Sequence, residues 1–169
     1  MKKILITGAT GHIGSYLLKF LGKYLKNLEI IILDNMSTNR YCSLFNLPNN
    51  VKFTFLNLDL AKCDISEIPD SDIIIHLAAK TDAAQSAKLE DEFYSNNYEA
   101  TKKIIEYSKK NYSKILFASS TSVYGPQSNL VDEDCEKEEL NPQSPYADVK
   151  LKEERLIKET FIESENKYL

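Results

Sequence analysis

The feature that most constrains the fold of this chain is a glycine-rich stretch, T-G-A-T-G-H-I-G-S, at residues 7–15. It follows the apolar run 4–6 and precedes a run with helical periodicity. Glycines spaced G-x-x-G-x-x-G between a strand and a helix let the backbone approach a pyrophosphate closely. The N–H groups and the positive end of the helix dipole then point at its charge. The stretch therefore predicts a dinucleotide-binding turn.

A glycine cluster alone also suits an ordinary tight turn, so the surrounding residues must distinguish such a turn from a dinucleotide-binding one. Asp34 lies twenty residues after Gly14, at the end of the apolar run 30–33. A carboxylate there accepts hydrogen bonds from both ribose hydroxyls and repels a 2′-phosphate, and no arginine stands next to it. The pattern thus favours NAD over NADP. The chain has no G-x-x-x-x-G-K-[ST] loop, which disfavours a nucleoside triphosphatase.

Composition narrows the class of protein further. The 169 residues are 43% hydrophobic and carry a net charge of -4, which indicates one globular domain and argues against a nucleic-acid partner. The three cysteines are far apart and lack a metal-ligand spacing, so we expect reduced thiols and no metal. The apolar run after Met1 is too short for a signal peptide, and no stretch is long enough to span a bilayer. These features predict a cytoplasmic protein with no membrane partner.

Short apolar runs alternate with amphipathic stretches along the chain. The predicted strands are 3–7, 29–34, 51–57, 72–77 and 113–119, and the predicted helices lie near 12–25, 93–111 and 145–163. Strands buried on both faces and separated by helices are typical of a parallel sheet covered on both sides. The sequence therefore predicts an α/β fold, a Rossmann-type doubly wound parallel sheet.

Polar residues at the ends of predicted strands have competing interpretations. Asp59 is a turn or helix-cap residue, or it lies beside the adenine at the carboxyl end of the third strand. His76 fits a core histidine satisfied by the backbone better than a catalytic one. His12 belongs to the glycine turn, where its backbone rather than its imidazole matters.

A tyrosine–lysine pair follows the last predicted strand. Hydroxyl groups cluster at residues 119–122, and Tyr146 and Lys150 open the last helix, where a spacing of four residues places them on one face. A lysine ammonium favours the phenolate form of a neighbouring tyrosine, which can then act as a base. Tyr98 and Lys102 have the same spacing by chance, but they do not follow a hydroxyl cluster at a strand end. Position therefore favours Tyr146 as the catalytic residue.

Together these motifs resemble the extended short-chain dehydrogenase/reductase family, and within it the nucleotide-sugar epimerases of the UDP-glucose 4-epimerase type. The motifs are T-G-A-T-G-H-I-G-S, L-D-N-M-S, L-D-L, H-L-A-A, N-N-Y-E-A-T, S-S-T-S-V-Y-G and P-Q-S-P-Y-A-D-V-K. The resemblance implies that Tyr146 is the catalytic acid/base, that Lys150 holds the nicotinamide ribose and tunes the tyrosine, and that Ser120 hydrogen-bonds the oxidised sugar hydroxyl. The residues at cofactor-contacting positions are Gly8, Gly11, His12, Ile13, Gly14, Asp34, Asn35, Asp59, Leu60, Ala78, Ala79, Asn97, Tyr146 and Lys150. Ala100 departs from the usual glycine, which should affect helix packing more than chemistry.

The resemblance also implies a reaction. NAD takes a hydride from C4 of a nucleotide sugar while Tyr146 removes the hydroxyl proton, and the 4-keto sugar is reduced again on its other face. Related dehydratases carry Asp or Glu just after the catalytic Ser or Thr, whereas this chain has Thr121 and Ser122. Epimerisation is therefore favoured, with a dehydratase or a reductase as the alternatives.

Members of the family are about twice as long as this chain. We therefore expect residues 1–169 to form an incomplete NAD-binding domain without the small substrate domain, and a homodimer through the helices near 93–111 and 145–163. A non-catalytic NAD-binding module remains a further alternative.

Overall fold

The computed structural model describes residues 1–82, 86–128, 130–133, 135 and 139–162. These residues form two compact units. The sheet unit comprises Met1–Ala79 and Ala100–Ala118, and the helical unit comprises Lys80–Glu99 and the described residues of 119–162.

The strands of the sheet unit are all parallel. They are β1 (Lys2–Thr7), β2 (Leu28–Asp34), β3 (Lys52–Asn57), β4 (Ile73–His76) and β5 (Lys114–Phe117), in the spatial order β3-β2-β1-β4-β5. The register pairs Thr7 with both Leu33 and His76, so the carboxyl ends of the three central strands lie at one edge. The predicted Rossmann-type fold is confirmed, and each predicted strand is found within two residues of its expected ends.

The helices are α1 (His12–Tyr24), α2 (Glu90–Phe93), α3 (Glu99–Asn111) and α4 (Pro145–Ile162). A π-helical turn, Tyr94–Tyr98, joins α2 to α3, and 3₁₀ turns lie at Tyr41–Leu44, Ile65–Glu67 and Thr121–Tyr124. The predicted helix near 93–111 thus starts earlier, at Glu90. The acidic first turn of α2 indicates this earlier start in the sequence, because carboxylates at a helix N-terminus complement the helix dipole.

Helices cover both faces of the sheet because successive strand residues point to opposite sides. On one face, Leu18 of α1 packs in a cluster with Ile4, Ile6, Ile30 and Ile32. On the other face, Ala100, Ile104 and Tyr107 of α3 pack with Leu5, Ile31, Leu33 and Ile74. Ala100, at the position where the resembled family usually has glycine, is 3% exposed in this contact.

The helical unit is built around α4, which packs against α2, the π-helical turn and the 3₁₀ turn Thr121–Tyr124. The rings of Tyr94 and Tyr98 stack with their centroids 4.8 Å apart, and Lys152 Nζ lies 5.7 Å from the Tyr94 centroid. Tyr98, whose spacing to Lys102 resembles the catalytic pair, therefore takes part in a packing contact. None of the helices among the described residues is long and apolar enough to cross a membrane.

Glu29, a buried residue of β2, links this strand to β3 through an exposed lysine and a half-buried threonine. Its Oε1 lies 2.8 Å from Lys52 Nζ and accepts a hydrogen bond of 2.9 Å from Thr54 Oγ1. The bond from Lys52, followed by that from Thr54, holds the pKa of Glu29 below its ordinary value. A lowered pKa contributes stability above the unfolded-state value, about 4.3, and this contribution is lost as the pH falls through the folded-state value.

We therefore expect Glu29→Gln to lower the free energy of unfolding by about 1 kcal/mol at pH 7, since the hydrogen bonds from Lys52 and Thr54 weaken when their acceptor loses its charge. The difference from the unsubstituted chain should vanish in acid. Denaturant unfolding at several pH values measures it, with the exposed Glu106→Gln as control. A Glu29→Gln difference that persists at the acid end would contradict this assignment.

Candidate active site

The glycine turn has the geometry of a phosphate-binding turn. Gly8 has a φ of +64°, and a Cβ there would lie 2.7 Å from Ala78 Cα, so both backbone conformation and space require glycine. Gly11 is the N-cap of α1 and has no side-chain cap. A Cβ on Gly11 would meet only Gly8 O, at 3.1 Å. His12 and Ile13, the first residues of α1, are exposed, and the first N–H groups of a helix lack intrahelical acceptors, so this terminus suits an anion.

Asp34 is held beside this turn by the backbone. Its Oδ2 accepts a hydrogen bond from Thr10 N at 3.0 Å, and its Oδ1 accepts one from Met36 N at 2.9 Å. Each carboxylate oxygen can accept a second hydrogen bond. The side chain is therefore oriented and still able to bind two ribose hydroxyls. Asn35, the next residue, is exposed, and its Oδ1 accepts from Ser37 N at 3.0 Å.

Two side chains of the segment after β2 reach the glycine turn, and neither contact was predicted from the sequence. Arg40 Nη2 lies 2.6 Å from His12 Nε2, and since arginine only donates, Nε2 is the acceptor. Ser43 Oγ donates to Thr10 O at 2.8 Å. The imidazole of His12 thus has a specific contact, in addition to the backbone role expected for this residue. Between β2 and Arg40 the chain makes a turn, in which Asn39 N donates to Met36 O at 2.8 Å and both residues have a positive φ. Asn39 is the signal in the sequence, because asparagine adopts a positive φ more readily than most residues.

The residues that follow β3 and β4 bring mainly backbone atoms to the predicted cofactor site. Asp59 Oδ1 accepts from Ala61 N at 3.2 Å, which is the turn role. Leu60 is 4% exposed and belongs to the core, so its side chain is not available to a ligand. Ala78 lies against Gly8, and its N–H donates to Thr7 Oγ1 at 3.2 Å. Ile13 is 68% exposed in the first turn of α1.

His76 is a buried core histidine, as predicted, and both of its ring nitrogens contact hydroxyl side chains. Thr7 Oγ1 accepts hydrogen bonds from the N–H groups of Leu77 and Ala78, so its own proton goes to His76 Nδ1 at 2.6 Å. Nε2 then carries the ring proton and donates to Thr101 Oγ1 at 3.1 Å. The ring ties β1 and β4 to α3 and serves the structure of the sheet unit.

Asn97, expected to contact the cofactor, is fully buried in the π-helical turn. Its Oδ1 accepts from Lys80 N at 2.8 Å, and its Nδ2 donates to Lys80 O at 3.0 Å. The side chain thereby fixes the backbone that follows the H-L-A-A motif. Single-turn π-helices often occur at functional sites, and here the turn places Asn97 for this positioning contact.

The three predicted catalytic residues all belong to the helical unit. Ser120 is half-buried and caps the 3₁₀ turn Thr121–Tyr124, and its Oγ lies 2.7 Å from Ser122 Oγ. Tyr146 and Lys150 are buried in the first turns of α4. Tyr146 N donates to Ser86 Oγ at 3.3 Å, and Lys150 Nζ lies 3.0 Å from Glu153 Oε2. Since the 3₁₀ turn packs against α4, a hydroxyl, a phenol and an ammonium group share one unit.

Comparison with known proteins shows the family of the chain. Residues 4–165 match the NAD dependent epimerase/dehydratase family, and the chain belongs to this family. It is 34% identical to a dTDP-D-glucose 4,6-dehydratase from Dictyostelium discoideum, over 95% of this chain and 41% of that protein. Its fold is similar to that of a UDP-N-acetylglucosamine 4-epimerase from Methanobrevibacter ruminantium, with a TM-score of 0.85, 32% identity, and coverage of 96% of this chain and 51% of the other.

A third similar protein was solved with a cofactor. It is a variant UDP-glucuronic acid 4-epimerase from Bacillus cereus in complex with NAD, with a TM-score of 0.86 and 30% identity, covering 97% of this chain and 54% of that one. The relatives are thus enzymes that act on nucleotide sugars. The chain spans about half the length of the relatives it matches.

Proposed function

We propose that this chain is the NAD-binding part of a nucleotide-sugar 4-epimerase of the UDP-glucose 4-epimerase type. The observation that supports epimerisation over dehydration lies after Ser120. The two following residues are Thr121 and Ser122, and the Ser122 hydroxyl is hydrogen-bonded to Ser120. A carboxylic acid for elimination is missing from both positions, whereas related dehydratases carry one there. We further propose that the substrate is chosen by residues in the half of the relatives that this chain does not span.

The proposed cofactor fits the residues of the sheet unit. The open N-terminus of α1 suits a pyrophosphate, and Asp34 suits an adenosine ribose. The orphaned Oγ1 of Thr10 is buried in the same turn with no hydrogen-bond partner among the described residues. The cofactor-binding set we propose is Gly8, Gly11, His12, Ile13, Gly14, Asp34, Asn35, Asp59, Leu60, Ala78 and Ala79. We add Tyr146 and Lys150 of the helical unit, with Asn97 acting through the Lys80 backbone.

In the proposed reaction, side chains of this protein transfer one proton to and from the substrate. NAD supplies reversible hydride acceptance at C4 of the sugar. The Tyr146 phenolate takes the proton of the C4 hydroxyl as the keto group forms, and returns it when the keto group is reduced on the opposite face. Ser120 hydrogen-bonds the same oxygen, and the Lys150 ammonium favours the phenolate.

Asp34→Ala tests the cofactor site. We expect NAD affinity to fall about tenfold or more, because hydrogen bonds from two ribose hydroxyls to a charged acceptor are lost. Isothermal titration calorimetry measures it. The matched control is Asp64→Ala, since Asp64 also accepts backbone and hydroxyl hydrogen bonds, from Ser66 at 2.8 and 2.7 Å, in a turn of the same unit. Unchanged affinity in Asp34→Ala would mean that the ribose is placed elsewhere.

The reaction type is tested with the longest protein that the gene encodes. After incubation with UDP-glucose, a 4-epimerase yields UDP-galactose, whereas a dehydratase yields a 4-keto-6-deoxy sugar. The similarity to a 4,6-dehydratase makes the second outcome the alternative, and it would overturn the proposal. Binding of NAD without turnover of nucleotide sugars would support a non-catalytic module.

A further inference from the structure

A buried ion pair on α4 involves one of the proposed catalytic residues. Lys150 Nζ and Glu153 Oε2 are 3.0 Å apart, and the two side chains are 5% and 0% exposed. Residues 146, 150 and 153 are spaced by four and three positions, which places all three on one face of the helix. A fully buried carboxylate therefore accompanies the proposed catalytic pair, although the proposed chemistry gives it no proton to move.

A gain in folding stability does not by itself explain why this ion pair is buried. Taking an ammonium and a carboxylate out of water costs several kcal/mol for each ion, and replacing such a pair by apolar side chains is often neutral or stabilising. The same helix carries an ordinary surface pair for comparison. Lys152 Nζ and Asp148 Oδ2 are 2.6 Å apart, with side chains 48% and 46% exposed, where the desolvation cost is small.

What Glu153 does supply is a carboxylate oxygen 3.0 Å from Lys150 Nζ. Keeping a lysine side chain buried without a partner of opposite charge is costly. A Lys150 side chain that turned toward solvent would neither lie on the Tyr146 face of α4 nor reach a ribose hydroxyl. The carboxylate one turn further along α4 opposes this movement.

We propose that Glu153 is a positioning residue, whose carboxylate holds the Lys150 side chain on the Tyr146 face of α4. The inference rests on the proposed function, in which Lys150 contacts the nicotinamide ribose. It predicts that Glu153 affects binding of NAD through Lys150 and leaves binding of ADP, which has no nicotinamide ribose, unchanged.

Calorimetric titrations with NAD and with ADP test this. We expect Glu153→Gln to weaken NAD binding about tenfold, a size typical of coupling between contacting residues, with ADP binding unchanged. Glu153→Asp, which keeps the charge with a shorter reach, should restore part of the affinity. In Lys150→Met, adding Glu153→Gln should cause no further loss, because the residue through which Glu153 acts is gone.

The control is Asp148→Asn, which breaks the exposed pair and should bind NAD normally. Circular dichroism establishes that each variant is folded, and if Glu153→Gln is not, Glu153→Asp carries the comparison. Normal NAD affinity in a folded Glu153 variant, or an equal loss for ADP, overturns the inference while the proposed function stands. If the unsubstituted chain binds no NAD, the proposed function fails and this inference fails with it.

Discussion

Tyr146→Phe is expected to lower turnover of a nucleotide sugar by about a thousandfold, the range that a positioned general acid/base contributes. The substitution removes only the phenol oxygen of a side chain that is 9% exposed, so the packing of α4 should survive. The reason for the loss is that no proton acceptor remains for the C4 hydroxyl. Turnover of UDP-glucose by the longest protein that the gene encodes measures the effect, and NAD affinity by calorimetry should change little.

Tyr98→Phe is the matched control for this experiment. Tyr98 has the same four-residue spacing to a lysine, yet it stacks on Tyr94 in the π-helical turn. It should retain nearly full turnover. Comparable losses in the two variants would show that Tyr146 acts through packing, and a Tyr146→Phe variant with ordinary turnover would remove it from the catalytic role.

Gly14→Ala is expected to lower the free energy of unfolding by about 2–3 kcal/mol, a typical cost of forcing an atom into a packed site. The new Cβ would lie 2.6 Å from both Cα and O of Ala9. These are backbone atoms of the glycine turn, so relieving the clash requires α1 to move away from the turn. We expect NAD affinity to fall as well.

Gly22→Ala separates this clash from the general effect of alanine in a helix. Gly22 is also buried in α1, but its Cβ would meet side-chain atoms, Phe53 Cζ at 2.9 Å and Pro48 Cγ at 3.1 Å. Those atoms can shift, and alanine gains about 1 kcal/mol of helix propensity over glycine. Denaturant unfolding should therefore place Gly22→Ala within about 1 kcal/mol of the unsubstituted chain. Equal destabilisation of the two variants would contradict the role assigned to Ala9.

The sheet and the glycine turn were predictable because their signals are local. Strands buried on both faces are continuous apolar runs, and the turn requires glycine where the backbone has a positive φ, as at Gly8. The position of Asp34 beside the turn was predictable for the same reason, since Asp34 is the last residue of the strand next to the turn. The proposed roles of Ser120, Tyr146 and Lys150 came from motif resemblance, and they stay predictions.

The contacts that were not predictable join residues far apart in the chain. His76 was recognised as a core residue, yet its hydroxyl partners come from Thr7 on β1 and Thr101 on α3. Arg40 was not connected with His12, because the two residues are 28 positions apart and their contact depends on how the segment after β2 folds. The sequence around Asn97 did not indicate that its side-chain amide, placed by a π-helical turn, hydrogen-bonds to the Lys80 backbone.

The sequence by itself determined the alternation of strands and helices, the dinucleotide turn and the tyrosine–lysine spacing, since each depends on neighbours within about one helical turn or one strand. Only the tertiary structure decided which polar side chains are buried and what they meet there. Glu153 shows the reason: in the sequence it is one acidic residue among several on a charged helix. Burial turns it into the fixed partner of Lys150, because an ion removed from water requires a counter-charge within reach.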